Sequence, residues 1–222
     1  MERCKLTQTV VVLDLDDTLY LEADYRASGL REVCRMVNSL TLQTESSAIQ
    51  SSDFVNSNDP LAQIGDQAGL SSNLKESLLW IYRLHAPDIQ LSPEVAEAVA
   101  ALESACKAVA VLTDGRSVSQ RLKLKALGLS HLPAYISEDY GSCKPEPLRF
   151  QKVMSDFPAA EYVYLGDNPK KDFVAPNALQ WKTVGLRAGP QNIHSQTCDG
   201  LQAEYLPNYW VSSMNEFLES LC

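Results

Sequence analysis

The sequence predicts an α/β fold in which a doubly wound parallel sheet carries an inserted α-helical subdomain. Two observations support this prediction. Short apolar runs alternate with amphipathic segments of helical length, and one long interval between the first two runs has no strand signal. Apolar runs that alternate with helices are typical of parallel strands buried on both faces. The predicted strands cover residues 10–13, 108–112, 134–136, 162–165 and 183–186.

The predicted helices between these strands have recognisable ends. They cover residues 93–105, 117–127, 145–155 and 169–179. Ser92 before Pro93 is typical of an N-cap followed by a first-turn proline, and Gly128 marks a helix stop. Ser213 and Glu216 have the spacing of a capping box, which predicts a last helix near the end of the sequence.

The strand-free interval predicts a helical insert. Residues 24–40 and 73–85 have apolar residues at helical spacing. Residues 41–60 between them are polar and rich in Ser, Gln and Asn, which fits either a loop or a weak helix. The whole interval is far longer than a crossover helix needs. We therefore expect a catalytic core of residues 1–20 and 91–222 and an inserted cap of residues 21–90.

Composition and charge disfavour several classes of protein. A net charge of −9 over 222 residues argues against a non-specific nucleic-acid binder, which needs a basic surface. No run approaches the roughly 20 apolar residues of a membrane span, and the N-terminus lacks a signal-peptide pattern. The six cysteines form no C-x-x-C pair, which favours free thiols in a reducing compartment. We expect a cytoplasmic monomer or homodimer that binds neither nucleic acid nor membrane.

The first predicted strand ends in three acids, Asp14, Asp16 and Asp17. Asp14 and Asp16 are two positions apart and therefore lie on the same side of an extended chain. Clustered carboxylates at the end of a buried strand are costly unless a cation or a reaction compensates them. The acids mark a candidate site at the carboxyl edge of the sheet, where ligands bind in open α/β folds.

Polar groups also follow the other predicted strands. Thr113, Asp114 and Gly115 follow the second strand, Lys144 lies between the third strand and its helix, and GDNPKKD covers 166–172 after the fourth. Each group alone has an ordinary explanation as a turn, a strand end or a surface charge. Four such groups at one edge of a sheet favour a shared function.

These four segments resemble the motifs of the haloacid dehalogenase superfamily, most of whose members are phosphatases. DLDDT at 14–18 resembles the nucleophile motif, and VLTDG at 111–115 resembles the second motif. GSCKPEP around Lys144 resembles the third motif, and GDNPKKD at 166–172 the acidic fourth. The resemblance covers nearly the whole chain and implies a Rossmann-like core, and the insert resembles the first type of helical cap in this superfamily.

The resemblance implies a catalytic role for three residues. Asp14 is expected to attack phosphorus and form an aspartyl-phosphate. Asp16 is expected to protonate the leaving oxygen and later to deprotonate the attacking water. Its neighbour Asp14 and partial burial are expected to raise its pKa, while a cation opposes that shift. Lys144 is expected to neutralise both the nucleophile and the phosphate.

The acidic motifs imply a Mg²⁺ cofactor, because Mg²⁺ prefers oxygen ligands. The resemblance assigns to it carboxylate oxygens of Asp14 and Asp167 and the backbone carbonyl of Asp16. Asp172 is expected either to hold metal-bound water or to orient the lysine of the third motif. The metal residues expected from the sequence are therefore Asp14, Asp16, Asp167 and Asp172.

Expected substrate contacts come from two regions. Thr113 and the backbone N–H groups near Asp114 and Gly115 are expected to bind phosphoryl oxygens, together with the third-motif lysine. Tyr25 and Arg26, shortly after the nucleophile motif, either face the substrate or pack the hinge, and the sequence leaves both readings open. A large cap favours a small phosphorylated metabolite, such as a sugar phosphate, over a phosphoprotein.

The sequence therefore predicts a Mg²⁺-dependent phosphatase that hydrolyses a small phosphate ester. Asp16 argues against a carbon–halogen hydrolase, because a halide leaving group needs no proton. A sugar phosphomutase stays open as an alternative, as does a non-catalytic binding module on the same fold, although the intact motifs argue against the module. Asp17 is assigned no catalytic role and is expected to shape the turn after the first strand.

Overall fold

The computed structural model describes residues 6–41, 48–187, 189, 192–193 and 195–221. Six strands form one sheet, and neighbouring strands are parallel throughout. They are β1 (Thr9–Leu13), β2 (Ala108–Thr113), β3 (Ala134–Ile136), β4 (Glu161–Gly166), β5 (Lys182–Leu186) and β6 (Tyr209–Val211). Their order in the sheet is β3-β2-β1-β4-β5-β6, which confirms the predicted doubly wound α/β class.

Helices connect and flank the strands of the sheet. They are α1 (Glu22–Leu40), α2 (Pro60–Gln67), α3 (Lys75–Leu84), α4 (Pro93–Ala105), α5 (Ser117–Ala126), α6 (Ser137–Tyr140), α7 (Leu148–Asp156), α8 (Val174–Ala178) and α9 (Met214–Ser220). Residues from α4, α5 and α9 pack on one face of the sheet. Residues from α7 and α8 pack on the other face, so both faces are covered.

The central strand β1 places the site at the carboxyl edge of the sheet. Every residue of β1 is buried, and β1 pairs with β2 on one side and β4 on the other. Val11 and Leu13 belong to one hydrophobic cluster, and Val10 and Val12 belong to the opposite cluster. The next residue, Asp14, donates its backbone N–H to Leu165 O at 2.8 Å, which extends the pairing with β4 by one step.

The interval between β1 and β2 is helical in the described residues. The helices α1, α2 and α3 share a hydrophobic cluster of their own, which includes Leu30, Val33, Ile64 and Leu78. The helix α4 belongs to the sheet layer, and Ser92 caps it by accepting a hydrogen bond from Val95 N–H at 3.3 Å. We refer to residues 22–84 as the helical insert.

The structure differs from the sequence prediction chiefly around the polar segments. The predicted helix at 169–179 is reduced to α8, because the residues after β4 form a polar loop in which Asp172 N–H donates to Asn168 O. The helix α2 begins at the last residue of the polar stretch 41–60, where Asp59 caps it ahead of Pro60, and it was not predicted. The short strand β6 carried too few residues to be recognised.

Two smaller expectations concern the thiols and the membrane. Cys34, Cys106, Cys143 and Cys198 carry free thiols as expected, whereas Cys4 and Cys222 lie outside the described residues. Among the helices of the described chain, none combines the length and apolar character needed to cross a bilayer.

Candidate active site

A buried lysine joins two buried carboxylates at the edge of the sheet. Lys144 Nζ lies 2.7 Å from Asp14 Oδ1 and 2.6 Å from Asp172 Oδ1, and it donates to the Tyr164 hydroxyl at 3.1 Å. All four side chains are buried. Although burial opposes it, the charges of Asp14 and Asp172 raise the pKa of Lys144 well above its ordinary value. The lysine is therefore a permanent positive charge beside Asp14.

Three buried carboxylates converge around this lysine. Single carboxylate oxygens of Asp14, Asp167 and Asp172 all lie within 4.8 Å of one another. Burial raises the pKa of Asp14 to about 6, against the opposing charge of Lys144. Burial and the charges of Asp14 and Asp172 raise the pKa of Asp167 to about 8. One ammonium does not neutralise three carboxylates, and a hard divalent cation suits the remaining oxygen donors.

The loop after β4 is shaped to hold Asp172. Asn168 N–H donates to Asp172 Oδ2 at 2.7 Å, so both oxygens of Asp172 have partners when the Lys144 contact is included. A Cβ on Gly166 would lie 2.7 Å from Asp172 Oδ2. Glycine is therefore required at position 166 by the close approach of Asp172. This geometry favours the orienting role for Asp172 over direct metal binding.

The Asp16 side chain has its own partners, separate from the carboxylate cluster. Its Oδ1 accepts hydrogen bonds from Lys123 Nζ at 2.7 Å and from the Tyr20 hydroxyl. Its Oδ2 accepts from Gln120 Nε2 at 2.9 Å. Asp14 and Asp16 follow the same strand, yet their carboxylates have different neighbours.

The expectation of a raised Asp16 pKa is wrong for this structure. Burial acts in the expected direction, but the charge of Lys123 and the hydrogen bonds from Lys123, Tyr20 and Gln120 outweigh it. The pKa of Asp16 therefore lies below its ordinary value, and Asp16 is an ionised carboxylate at neutral pH.

Thr113 lies at the end of β2 and is buried beside the same glutamine. Its Oγ1 accepts a hydrogen bond from Gln120 Nε2 at 2.6 Å. Gly115 has a φ of 145°, which favours glycine, and its N–H donates to Ser137 Oγ at 2.9 Å. The expectation that this N–H binds phosphate is corrected, because the Ser137 hydroxyl already accepts its hydrogen.

The Asp114 side chain faces the protein. It forms an ion pair with Arg149 and accepts from Lys144 N–H at 3.2 and 3.3 Å. Arg149 is fully buried, and its guanidinium also donates to Thr113 O at 2.8 Å. The side chain of Asp114 therefore fixes the strand end against the third motif, and its backbone N–H stays the group predicted to bind phosphoryl oxygens.

Tyr25 and Arg26 occupy different environments at the start of α1. Tyr25 is buried, and Lys123 Nζ lies 4.1 Å from the centre of its ring. The Tyr25 ring also packs edge-on against Tyr82, with centroids 5.6 Å apart. These contacts favour the hinge-packing reading of Tyr25. Arg26 donates through Nη2 to Ser57 O, and its buried Nε has no hydrogen-bond partner among the described residues.

Asp17 shapes the turn between β1 and α1, in agreement with the sequence prediction. It adopts a φ of 57°, and its Oδ1 accepts from Glu22 N–H at 2.8 Å. Its Oδ2 accepts from Ile193 N–H at 2.9 Å, which ties the turn to the segment after β5.

Burial and the charge of Asp16 raise the pKa of Glu22 to about 7. The first turn of α1 therefore lies within the electrostatic reach of the site.

Sequence reasoning missed Gln120, Lys123, Arg149 and Tyr164. One available signal was the pattern of α5, where Gln120 lies on the same helical face as Leu124 and Leu127. A polar residue on an apolar helical face needs a buried partner, and here that partner is the Asp16–Thr113 region.

Comparisons with known proteins identify the family and the fold of the chain. Residues 11–186 match the sequence model of the haloacid dehalogenase-like hydrolases, a span that includes all four motifs. No curated protein gives a significant sequence match.

Solved structures share the fold over nearly the whole chain. The magnesium-bound HAD-hydrolase YfnB from Bacillus subtilis has a TM-score of 0.65 and 18% identity, and the alignment covers 97% of this chain and 99% of that one. A predicted phosphoglycolate phosphatase from Haemophilus somnus 129PT gives 0.62 and 20%, with 98% and 99% coverage. A 2-haloacid dehalogenase from Pseudomonas syringae pv. Tomato DC3000 gives 0.61 and 19%, with 96% and 97% coverage. At these identities the likeness concerns the fold.

Proposed function

Because the chain belongs to the haloacid dehalogenase-like hydrolase family, we propose that it is a Mg²⁺-dependent phosphatase that hydrolyses a small phosphate ester through an aspartyl-phosphate. One observation carries the proposal. Asp14 lies 2.7 Å from the Lys144 ammonium, and a second carboxylate, Asp16, lies two residues away with different partners. The pair supplies the nucleophile and the proton-transfer group that phosphate-ester hydrolysis needs.

Asp14 is suited to nucleophilic attack. Its pKa of about 6 leaves it mostly ionised at neutral pH, and burial limits the water that would shield it. In the first step, a carboxylate oxygen of Asp14 forms a bond to phosphorus while the ester P–O bond breaks. The electron pair of that bond goes to the leaving oxygen, which takes a proton from Asp16. In the second step, water attacks phosphorus, gives its proton to Asp16, and releases Asp14 and inorganic phosphate.

Asp16 must be protonated for the first step, and before substrate binds it is an ionised carboxylate. A phosphate dianion close to Asp16 favours the protonated form, because like charges raise the pKa of a carboxyl group. We infer that Asp16 takes up its proton as the substrate binds. The ionised form is already the base that the second step requires.

Lys144, Thr113 and the Asp114 N–H would bind the phosphoryl oxygens. Lys144 reaches this position through its contact with Asp14, and Thr113 lies at the end of the neighbouring strand. Charged and polar donors fixed in a buried site stabilise the charge of the transferred group without reorganising.

The residues present suit a magnesium ion. Asp14, Asp167 and the backbone carbonyl of Asp16 would hold it, with Asp172 fixing Lys144 beside them. The raised pKa values of Asp14 and Asp167 support this assignment, because they mark negative charge that the protein itself leaves partly uncompensated. When bound, the cation supplies charge neutralisation for the phosphoryl group and the attacking carboxylate.

Asp16 also separates the proposed function from its alternatives. A carbon–halogen hydrolase needs no proton donor for its leaving group, whereas this chain holds the half-buried Asp16 carboxylate with three hydrogen-bonding partners. A sugar phosphomutase would use the same groups but return the phosphoryl group to a sugar. The helical insert is proposed to act as the cap that favours a small substrate, with sugar phosphates as the first candidates.

The test is a metal-controlled substrate screen with purified protein. Phosphate release from a panel of phosphate monoesters should require Mg²⁺, stop with EDTA, and be lost in Asp14→Asn but kept in Asp66→Asn, an exposed control. A chlorinated carboxylic acid should yield no halide, and a sugar 1-phosphate should yield phosphate without its 6-phosphate isomer. Halide release, isomerisation, or full activity after metal stripping would each contradict the proposal.

A further inference from the structure

The inner face of α5 presents two buried polar residues that the proposed reaction does not use. Gln120 and Lys123 are 2% and 4% exposed, and their spacing of three places them on the same side of the helix. Lysine is rarely buried without a charged partner. Both side chains reach the site from outside the four motifs, so they have separate consequences for it.

Lys123, on α5, holds the Asp16 carboxylate beside the first helix of the helical insert. Its ammonium lies 2.7 Å from Asp16 Oδ1 and 4.1 Å from the centre of the Tyr25 ring. The Tyr20 hydroxyl donates to the same oxygen of Asp16. A cation held between a carboxylate and an aromatic face has little freedom to move. Lys123 therefore restricts the orientation of Asp16 and couples it to the first helix of the insert.

Gln120 connects Asp16 with the phosphate-binding threonine. Its Nε2 lies 2.9 Å from Asp16 Oδ2, 2.6 Å from Thr113 Oγ1 and 3.1 Å from Asp114 O. The amide nitrogen only donates, so its two hydrogens are shared among these three acceptors, and Thr113 Oγ1 accepts from it rather than donating to it. The Thr113 hydrogen is therefore directed away from Gln120 and is available to a phosphoryl oxygen.

We propose that Gln120 and Lys123 form a positioning pair that aligns the proton-transfer carboxylate of Asp16 and the donor hydrogen of Thr113 for the reaction. The inference rests on the proposed phosphatase function and adds two residues to it. Lys123 acts on the leaving-group step through Asp16, and Gln120 acts on phosphate binding through Thr113. Neither residue exchanges a proton with the substrate or touches phosphorus.

The alternative is that both side chains only anchor α5 to the sheet. Leu124 and Leu127 already bury the same face of the helix and its C-terminal end, and Ser119 Oγ donates to Arg83 O at 3.0 Å. A loss of anchoring would lower stability and slow every substrate by the same factor. A positioning role instead gives each residue its own kinetic signature.

Lys123→Met tests the Asp16 branch, with Lys125→Met on the exposed side of α5 as the matched control. The expected result is a fall of about 10- to 100-fold in kcat for an alkyl phosphate, since a misplaced catalytic group can cost about 10²-fold. The first-turnover burst with p-nitrophenyl phosphate should change by less than about 3-fold, because a good leaving group needs little protonation. Lys123→Arg should recover part of the alkyl-phosphate rate.

Gln120→Leu tests the Thr113 branch. Without the amide, the Thr113 hydroxyl is free to rotate, so Ki for inorganic phosphate and KM for both substrates should rise together, by about 10-fold for one charge-assisted hydrogen bond. The ratio of the alkyl to the aryl rate should stay closer to wild type than in Lys123→Met. An unchanged Ki for phosphate in folded Gln120→Leu would overturn this branch.

A double variant separates this inference from the proposed function. In an Asp16→Asn background, Lys123→Met should add less than about 3-fold to the alkyl-phosphate defect, because both changes act on one group. Equal slowing of alkyl and aryl substrates by Lys123→Met, or a fully additive double variant, would overturn the positioning role. If Lys123→Met does not fold, Lys123→Arg takes its place. A lowered alkyl-to-aryl ratio in Lys123→Arg then supports the positioning role and an unchanged ratio overturns it, with the Gln120→Leu data as the second measurement. Failure of the proposed function is seen separately, as wild-type protein that releases no phosphate.

Discussion

The Lys144 ammonium bridges Asp14 and Asp172 at 2.7 and 2.6 Å, and so connects the loop after β1, the loop after α6 and the loop after β4. The third carboxylate of the cluster, Asp167, stays beyond this bridge and has the higher pKa of the two raised values. Once Asp14 and Asp167 have lost their protons, the three carboxylates and one ammonium carry a net charge of two negatives in a buried place. A divalent cation balances that charge, which is why the lysine and the metal are expected to act together.

Replacing Lys144 should test how strongly the stability of the carboxylate cluster depends on the lysine ammonium. Lys144→Met leaves Asp14 and Asp172 buried without their partner, so the free energy of unfolding should fall by about 3–5 kcal/mol in metal-free buffer at pH 8. Phosphate release should also be lost. The measurement is urea denaturation, with Lys152→Met, which breaks an exposed ion pair with Asp156, as the control. Equal stabilities of the Lys144 and Lys152 variants would show that the buried bridge does not stabilise the fold.

Magnesium should stabilise the protein more at pH 8.5 than at pH 6. The folded pKa values of about 6 for Asp14 and about 8 for Asp167 exceed the usual carboxyl value near 4, so metal-free folded protein holds protons that the unfolded chain has released. The metal-free fold therefore loses stability as pH rises from about 4 through about 8. Mg²⁺ must displace these protons, so its apparent affinity should fall by about tenfold for each unit by which the pH is lowered, wherever one proton must leave.

The measurement is Tm with and without Mg²⁺ at both pH values and constant ionic strength. Asp167→Asn should lose most of the Mg²⁺-dependent rise in Tm at either pH. In the wild-type protein, KCl at matched ionic strength should not reproduce the rise in Tm that Mg²⁺ causes. A rise of equal size at pH 6 and pH 8.5 would contradict the assignment of these carboxylates to the metal.

Arg26 should influence which ester is preferred. Its Nε is buried and its Nη2 contacts Ser57 O, so Arg26 belongs to the wall of the insert. If this wall contacts the organic part of the substrate, Arg26→Gln should change the ratios of kcat/KM between different alkyl phosphates by about tenfold. Hydrolysis of p-nitrophenyl phosphate should change little. The control is Arg35→Gln on the exposed side of the same helix, and a uniform loss over all substrates would make Arg26 structural.

Much of the core was predictable because its signals are local. The valine run of β1 predicts a strand buried on both faces, and Ser213 accepts the hydrogen bond from Glu216 N–H that its spacing predicts. The resemblance to known motifs predicted the meeting of Asp14, Asp167 and Asp172, because parallel strands end at the same edge of the sheet.

The environment of Asp16 was not predictable from the sequence. Its pKa depends on Lys123, which lies more than a hundred positions away and reaches it only through the packing of α5. The sequence gives the residue type and the helix but not which side chain points at Asp16. The use of Arg149 as the partner of Asp114 is hidden for the same reason, since a long side chain can pair in many directions.

The most direct test of the account follows the phosphoryl group in Asp16→Asn. The variant keeps the nucleophile Asp14 but loses the group that activates water. With p-nitrophenyl phosphate, rapid-quench kinetics should give a burst of p-nitrophenol close to one per protein, followed by turnover slowed by about 10²–10⁴-fold. Peptide mapping of quenched protein should place one phosphoryl group on Asp14. No burst, no trapped phosphoenzyme, or a phosphoryl group on another residue would contradict Asp14 as the nucleophile and Asp16 as its proton-transfer partner.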